Sequence, residues 1–427
     1  MTTPTTTVTQ QVLLRDAMRR LSMTRDGFAE RIGARRRTLD TWLLPDDSNE
    51  FRAMPEVARR FVSEILGRAP AAEASTTQSV YHPPLSRHLL SVEQFNRDAV
   101  EDLFALSDAL LPVAHRRKVT RVLEGAVLAN LFFEASTRTR ISFGAAFCRL
   151  GGAVCDTTGF TFSSMAKGES LRDTSRVVSG YVDAIVLRHP EQGSAAEFAS
   201  ATNVPVVNGG DGAGEHPTQA LLDLYTIQRE FSRLGKQVDG SHIALVGDLR
   251  YGRTVHSLMK LLSLYRGMRF TLVSPATLTM PTGIVEHAAS RGHAVEVHHS
   301  LEALSDADVV YATRIQRERL AGEFSEDDAA VLRLDAASVS AHCRPDVVLM
   351  HPLPRDSRPG ANDLSSDLDT DSRLAIFRQT DNGIPVRMAI FAQLLGVDRL
   401  VQRSMHDARW TPPAHIRPDD APFDMFF

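Results

Sequence analysis

The sequence predicts an α/β protein: two parallel-sheet α/β domains preceded by a small all-α domain. Three observations predict it. The chain has 427 residues, more than one ordinary core accommodates. From about residue 85 onward, short β-rich runs alternate with helical segments, the pattern of parallel strands joined by crossover helices. Before residue 66 only helical periodicity is seen. The expected divisions are 1–66 for the helical domain, 67–84 for a linker, 85–232 and 233–383 for the α/β domains, and 404–427 for a tail. A C-terminal helix over 384–403 is expected to pack back on the first α/β domain.

In the first segment, "LLRDAMRRLSMTRDGFAERIGARRRTLDTWL" puts Leu14, Met18, Leu21, Phe28, Ile32, Leu39 and Trp42 near helical spacing. Gly33 separates two helical stretches, as in a helix-turn-helix. "MPEVARRFVSEIL" is a further amphipathic helix, and "GRAPAAEASTTQSVYHPP" reads as a linker. In the remainder, "VLANLFF", "AIVLR", "VPVVN", "HIALVG", "FTLVS", "DVVYAT" and "VVLMH" are the strand candidates. Two sheets leave a cleft between them, a common place for a ligand. The Pro-rich end, "RWTPPAHIRPDDAPFDMFF", is expected to be poorly ordered.

Composition narrows the function classes. A net charge of −4 disfavours whole-protein nucleic-acid binding while leaving room for a local basic patch. The three cysteines, Cys148, Cys155 and Cys343, form no CxxC and are expected to be buried small apolar residues of a reducing compartment. No membrane span and no signal peptide are expected, which makes the cytoplasm the default location.

The densest chemistry lies in "FFEASTRTRISFG", 132–144. Glu134, Ser136, Thr137, Arg138, Thr139 and Arg140 fall between a buried strand and a helix bearing Ile141, Ala145 and Cys148 on one face. Free N–H groups and the positive dipole end at such a helix mouth favour an anion, and Arg offers a fork matched to phosphate. The plainer alternative is Ser136 as an N-cap with Arg138 and Arg140 solvated. The stretch is no P-loop, since GxxxxGK[ST] is absent.

Similar junctions follow. Arg188 ends the strand "DAIVLRHP", where α/β ligands bind. His216 and Gln219 open a helix after "VPVVN", with Pro217 suited to its first turn. His216 at a helix N-terminus should stay neutral and donate to a carbonyl oxygen. "SSMAKGESLRDT", 163–174, with Lys167 beside Gly168, reads equally as a lid or as a solvated loop. Arg253 lies in "VGDLRYGRTVHSL", which lacks the GxGxxG dinucleotide fingerprint. Arg314 and Gln316 follow "DVVYAT". Arginines in surplus suggest a substrate with carboxylates as well as phosphate. In "VVLMHPLPRDSRPG" the two prolines make a rigid exit that can aim backbone carbonyls into a cleft, with a cis bond expected at one of them.

"FFEASTRTR", "KGES", "RHP", "HPTQALLDLYTI", "VGDLRYGRTVHSL", "TRIQRERL" and "HPLPR" occur in the order of the aspartate carbamoyltransferase catalytic chains, and the resemblance runs from about 86 to 403. It implies an aspartate/ornithine carbamoyltransferase-like fold. It also implies transfer of the carbamoyl group of carbamoyl phosphate to the α-amino group of L-aspartate, the second step of de novo pyrimidine synthesis. By resemblance, Ser136, Thr137, Arg138 and Thr139 cradle the phosphate. Arg188, His216 and Thr139 contact the carbonyl oxygen, and Gln219 meets the carbamoyl amide with the backbone carbonyls of Leu353 and Pro354. Arg253, Arg314 and Gln316 hold the aspartate carboxylates. Lys167 and Ser163 reach across from a neighbouring subunit, which implies a homotrimer. No metal or cofactor is implied. The resemblance leaves open a regulatory or dihydroorotase-like subunit.

The related ornithine carbamoyltransferases carry a cysteine where this chain has Thr218 and Pro352. Arg253 and Arg314 would also repel the second amine of ornithine. Three departures stand out: Ala166 before Lys167, a long irregular stretch after "HPLPR", and the residues before 85, which the family's catalytic chains generally lack.

That extra region resembles lambda-repressor-like helix-turn-helix domains, with Arg35, Arg36 and Arg37 opening the second candidate helix. Residues 1–75 hold 12 arginines against 10 acidic residues, a weak footprint for DNA. A module for assembly or regulation is therefore the preferred reading. The alternative for the whole chain is a DNA-binding regulator that uses a transferase-like body to sense carbamoyl phosphate.

Overall fold

The computed structural model describes residues 9–20, 23–46, 48–68, 87–158, 168–316, 332–356 and 363–410. Its compact units are residues 1–81 and 82–427.

In the first unit, helices α1 (Gln10–Arg20), α2 (Arg25–Arg31), α3 (Arg36–Leu43) and α4 (Glu56–Arg68) enclose Leu14, Phe28, Leu39, Trp42 and Val62. Thr24 caps α2 by accepting from the Gly27 N–H at 3.3 Å. Gly33, at φ +66°, makes the turn that any other residue would make under strain. Gln10 closes the bundle. Its Nε2 donates to the carbonyls of Trp42 and Arg52, both at 2.9 Å, and its Oε1 accepts from the Met54 N–H at 2.8 Å.

The second unit holds two parallel sheets. One has the order β3-β2-β4-β5, built from β2 (Val127–Phe132), β3 (Ala153–Thr158), β4 (Ala184–His189) and β5 (Val206–Asp211). The other has the order β10-β9-β6-β7-β8, from β6 (His242–Val246), β7 (Arg269–Val273), β8 (Ala294–His298), β9 (Val309–Ala312) and β10 (Val348–Met350). The apolar runs at β2, β4, β5, β6, β7, β9 and β10 are those legible in the sequence. Strands β3 and β8 are not. Both are sheet edges with polar members such as Asp156 and Glu296, and β8 is largely exposed. A strand covered on fewer sides needs no unbroken apolar run.

The crossover helices include α5 (Arg97–Ala114), α6 (Thr137–Arg149), α7 (Leu171–Val178), α8 (Ser194–Ala199) and α9 (Pro217–Leu234) around the first sheet. Around the second are α10 (Arg253–Leu262), α11 (Thr282–Ser290) and α12 (Ala336–His342). The expected division at 232/233 falls inside the last turn of α9. The C-terminal helix α13 spans Ile376–Leu394, beginning before the expected residue 384, and is followed by the short α14 (Val401–Ser404). It packs against α5, α6 and α9. Phe391 meets the rings of Phe143 and Phe147, and Arg378 Nε contacts Glu230 Oε1 at 2.7 Å. The first residues of the expected tail are pinned: β11 (His406–Asp407) pairs antiparallel with β1 (Lys118–Val119). The rest of the tail, most of the expected linker and residues 357–362 lie outside the described residues. None of the described helices is long and apolar enough to cross a membrane.

The cysteines correct the sequence reading. Cys148 and Cys155 are exposed and Cys343 is intermediate. Cys148 sits on the outer face of α6, together with Ile141 at 60% exposure, whereas the buried side is Phe143, Ala146 and Phe147. Cys155 lies on the edge strand β3.

Candidate active site

The residues singled out in sequence gather at strand ends because every strand in both sheets runs the same way within its sheet. The carboxyl ends of β2, β4, β5, β6, β9 and β10 lead directly into residues 133–136, 188–190, 212–216, 247–252, 313–316 and 351–354. Loops at that end carry ligands in open α/β sheets because helix N-termini and free backbone groups gather there.

At the mouth of α6, Ser136 is the N-cap residue but makes no capping bond with its side chain; its hydroxyl donates to Thr139 Oγ1 at 2.9 Å. The two hydroxyls thus form one small donor group over the first turn. Arg138 reaches solvent, although enough protein surrounds its guanidinium to lower its pKa by desolvation alone. Thr137 is exposed beside it.

Glu134 links the two halves of the site. Its Oε2 lies 3.0 Å from Arg188 Nη2 and 3.2 Å from Arg253 Nη2. Arg188 also donates from Nη1 to the Gly209 carbonyl at 3.1 Å, and Arg253 donates from Nη1 to the Gly212 carbonyl. Gly210 is needed between them. It sits at φ +114°, and a Cβ there would stand 3.0 Å from both Arg188 Nη1 and Arg253 Cζ.

His216 is the N-cap residue of α9 without a side-chain capping bond, and Pro217 fills the first helical position. The imidazole is buried, and burial first, then the charges of Arg188, Arg253 and Arg387, hold its pKa well below the ordinary value. It therefore stays neutral and can donate from one ring nitrogen. Its Nδ1 is buried with no hydrogen-bond partner among the described residues, as is the Thr218 hydroxyl.

On the second sheet, Asp248 organises the loop after β6. Its Oδ1 accepts from the Tyr251 N–H at 2.9 Å and its Oδ2 from the Gln316 N–H at 3.2 Å. Gln316 Nε2 donates to the Tyr251 carbonyl at 2.8 Å. This brings Arg314 and Gln316 beside the start of α10, where Arg253 is the first residue. Leu353 has φ +58°, and the bond to Pro354 is cis.

Of the residues singled out in sequence, the described set Ser136, Thr137, Arg138, Thr139, Arg188, His216, Gln219, Arg253, Arg314, Gln316, Leu353 and Pro354 all lie at strand ends or on the first turn of the helices that follow them. Lys167 and Ser163 lie outside the described residues. Sequence reasoning gave no role to Glu134, Asp223 or Asp248. The available signals were Glu134 within its own motif, Asp248 ending "ALVGD", and Asp223 as a lone charge in "ALLDLYTI". Among the described residues no group of three or more His, Cys, Asp or Glu is placed to hold a metal ion.

The arrangement offers guanidiniums and hydroxyls for an anion, a neutral imidazole for a carbonyl oxygen, and a second cationic set for carboxylates. Residues 87–229 match the family model described as aspartate/ornithine carbamoyltransferase, carbamoyl-P binding domain. Residues 239–394 match that described as the Asp/Orn binding domain of the same family. The aspartate carbamoyltransferase catalytic subunit of Dichelobacter nodosus is 55% identical over 338 residues, 79% of this chain and 97% of that one. Among solved structures, the aspartate transcarbamoylase of Trypanosoma cruzi in complex with carbamoyl aspartate and phosphate superposes with a TM-score of 0.66 at 41% identity, covering 71% of this chain and 94% of that one. The catalytic subunit of the M. Jannaschii aspartate transcarbamoylase gives 0.66 at 41% identity over 73% and 98%.

Proposed function

The chain belongs to the aspartate/ornithine carbamoyltransferase family, and from that premise we propose how its own residues carry the reaction. It is an aspartate carbamoyltransferase: it transfers the carbamoyl group of carbamoyl phosphate to the α-amino group of L-aspartate, releasing N-carbamoyl-L-aspartate and phosphate. This is the second step of de novo pyrimidine biosynthesis, and a cytoplasmic setting goes with it. The observation that carries the reading is the convergence of Arg188 and Arg253 on Glu134 beside a buried, neutral His216.

Ser136, Thr137, Arg138 and Thr139 take the phosphate. Arg188, His216 and Thr139 face the carbonyl oxygen, on which negative charge grows as the amine attacks. Donors fixed beforehand stabilise that charge without reorganising at the moment of reaction. A neutral His216 suits this, because it donates a hydrogen bond without surrendering a proton. Gln219 and the carbonyls of Leu353 and Pro354 receive the carbamoyl amine. Arg253, Arg314 and Gln316 hold the aspartate carboxylates, and Lys167 completes the site from a neighbouring subunit. The leaving phosphate takes the amine proton, and holding both substrates in line supplies much of the remaining rate.

A homotrimer follows from the shared site. The outward apolar face of α6, with Ile141 and Cys148, supports it as a surface suited to burial. Mixing inactive Lys167→Ala and inactive Arg138→Ala chains should restore activity; verified mixed trimers without recovery would count against sharing. A regulatory or dihydroorotase-like subunit remains a proposal on the same footing. For residues 10–68 we keep assembly or regulation over DNA reading, because Arg36 on α3 is already engaged by Asp26 at 2.6 Å and Asp40 at 3.0 Å. No comparison supports the alternative of a DNA-binding regulator. A colour assay for carbamoyl-aspartate formation by the purified protein tests the activity. Product is expected with aspartate and none with ornithine, and absence of product with both substrates present would overturn it.

A further inference from the structure

Asp223 lies fully buried in the middle of α9. Its Oδ1 accepts from Gln219 Nε2 at 2.9 Å and from Gln379 Nε2 at 2.6 Å, and its Oδ2 accepts from the Tyr311 hydroxyl at 2.6 Å. These donors come from three elements: Gln219 one turn earlier on α9, Gln379 on α13, and Tyr311 on β9. The Oδ1 oxygen accepts from both amide nitrogens, and that fixes which end of each amide faces Asp223.

Gln379 shows the result. Its nitrogen faces Asp223, and its oxygen accepts from the His351 N–H at 3.1 Å. His351 Nδ1 in turn accepts from the Leu353 N–H at 2.8 Å. A backbone amide can only donate, so the imidazole proton sits on Nε2, 2.7 Å from Asp363 Oδ2. One arm of Asp223 therefore ends at the 351–354 turn. The other ends at Gln219, whose nitrogen is taken in the same way and whose oxygen is left as its outward end. Burial raises the Asp223 carboxyl to about 7 even though the bonds from Tyr311, Gln379 and Gln219, and the charge of Arg387, act to lower it.

We propose that Asp223 is a positioning residue for the carbamoyl amine: by engaging Gln219 Nε2 it turns the Gln219 carbonyl toward that amine, and through Gln379 it keeps the 351–354 carbonyls aligned with it. An amine needs acceptors, and a flipped Gln219 would present N–H against N–H. The inference rests on the assignment of Gln219 to the carbamoyl amide.

The test is a double-mutant cycle on kcat/KM for carbamoyl phosphate, using Asp223→Leu, Asp223→Asn and Gln219→Leu singly and combined. Asp223→Leu lowers it about 10- to 100-fold, the scale of a misplaced reacting group. Asp223→Asn, which keeps the side-chain size, lowers it about tenfold because one acceptor oxygen must serve three donors. In the Gln219→Leu background each change lowers it by a smaller factor than in the parent, the remainder being the arm through Gln379 to the 351–354 carbonyls. Competitive binding of acetyl phosphate, which has a methyl where the carbamoyl amine would be, is unchanged in the single variants. Losses that multiply in the double variants, or an unaltered Asp223→Asn enzyme, or equal loss of acetyl phosphate binding, would overturn the proposal. Should Asp223→Leu fail to fold, the Asp223→Asn cycle decides by the same criteria. An unaffected Gln219→Leu enzyme would instead remove the role of Gln219 itself.

Discussion

Arg36 in the helical unit and Arg253 in the α/β unit are both held by carboxylates, the first at 2.6 Å from Asp26 and the second at 3.2 Å from Glu134. Their surroundings differ. The Arg36 side chain is 42% exposed and its partner Asp26 76%, so water and salt screen the pair. The Arg253 side chain is 11% exposed, and its partner Glu134 is shared with Arg188, equally buried at 11%. The same residue type is a surface ornament in one place and a constrained charge in the other. Burial and sharing, more than the presence of a salt bridge, separate them.

The comparison can be broken most severely at the phosphate end. Arg138→Ala should lower kcat about 10²- to 10³-fold, as loss of a transition-state donor does. The thermal unfolding midpoint should stay near that of the parent, because Arg138 reaches solvent. Near-normal turnover in a folded Arg138→Ala enzyme would remove its role.

Next comes the shared carboxylate. Glu134→Gln leaves Arg188 and Arg253 without their common counter-charge, so both lose their aim. Steady-state kinetics should show kcat/KM for aspartate falling about 10-fold or more, within the range of a charged hydrogen bond. An unchanged value would show that Glu134 is not needed to hold the two arginines.

A smaller effect belongs to His216. The unfolded chain takes up a proton there near pH 6.5, while the folded chain, with its pKa held well below, does not. Its contribution is therefore full above pH 6.5 and is lost as the pH falls from there toward the folded pKa. In urea titrations across pH 5 to about 7.5, His216→Gln should flatten the acid-side loss of stability relative to the parent. Identical pH slopes would contradict this. The smallest effect is expected at Arg36→Ala, which should leave turnover unchanged and the thermal midpoint essentially in place.

What the sequence disclosed follows the same physics. Strands β2, β4 and β6 were legible because they are buried on both faces, as unbroken runs such as "AIVLR" and "HIALV" require. Strands β3 and β8 were not, because they stay largely exposed, unlike the buried edge strands β5 and β10, and so tolerate Asp156 and Glu296. Cationic donors such as Arg188 could be read because they end strands. Glu134 and Asp223 could not be assigned roles, because a carboxylate's role depends on which donors arrive from distant segments. For Asp223 those are Tyr311 and Gln379, separated from it by 88 and 156 positions. Cys148 and Ile141 misled because helical spacing marks a face without saying which side is covered.

The placement of α13 has a consequence for synthesis. Helix α13 lies against α5, α6 and α9, with Phe391 between the rings of Phe143 and Phe147. The half of the protein that begins at residue 87 is thus completed by residues 376–394, after the entire second sheet has emerged from the ribosome. During translation the first sheet waits with an uncovered helix layer, whereas the core of the second lacks from α13 only its first turn, Ile376 and Phe377. A released chain that stops before residue 376 should accordingly be more protease-sensitive across residues 97–149 than across the second sheet, whereas a chain released after residue 410 should protect both.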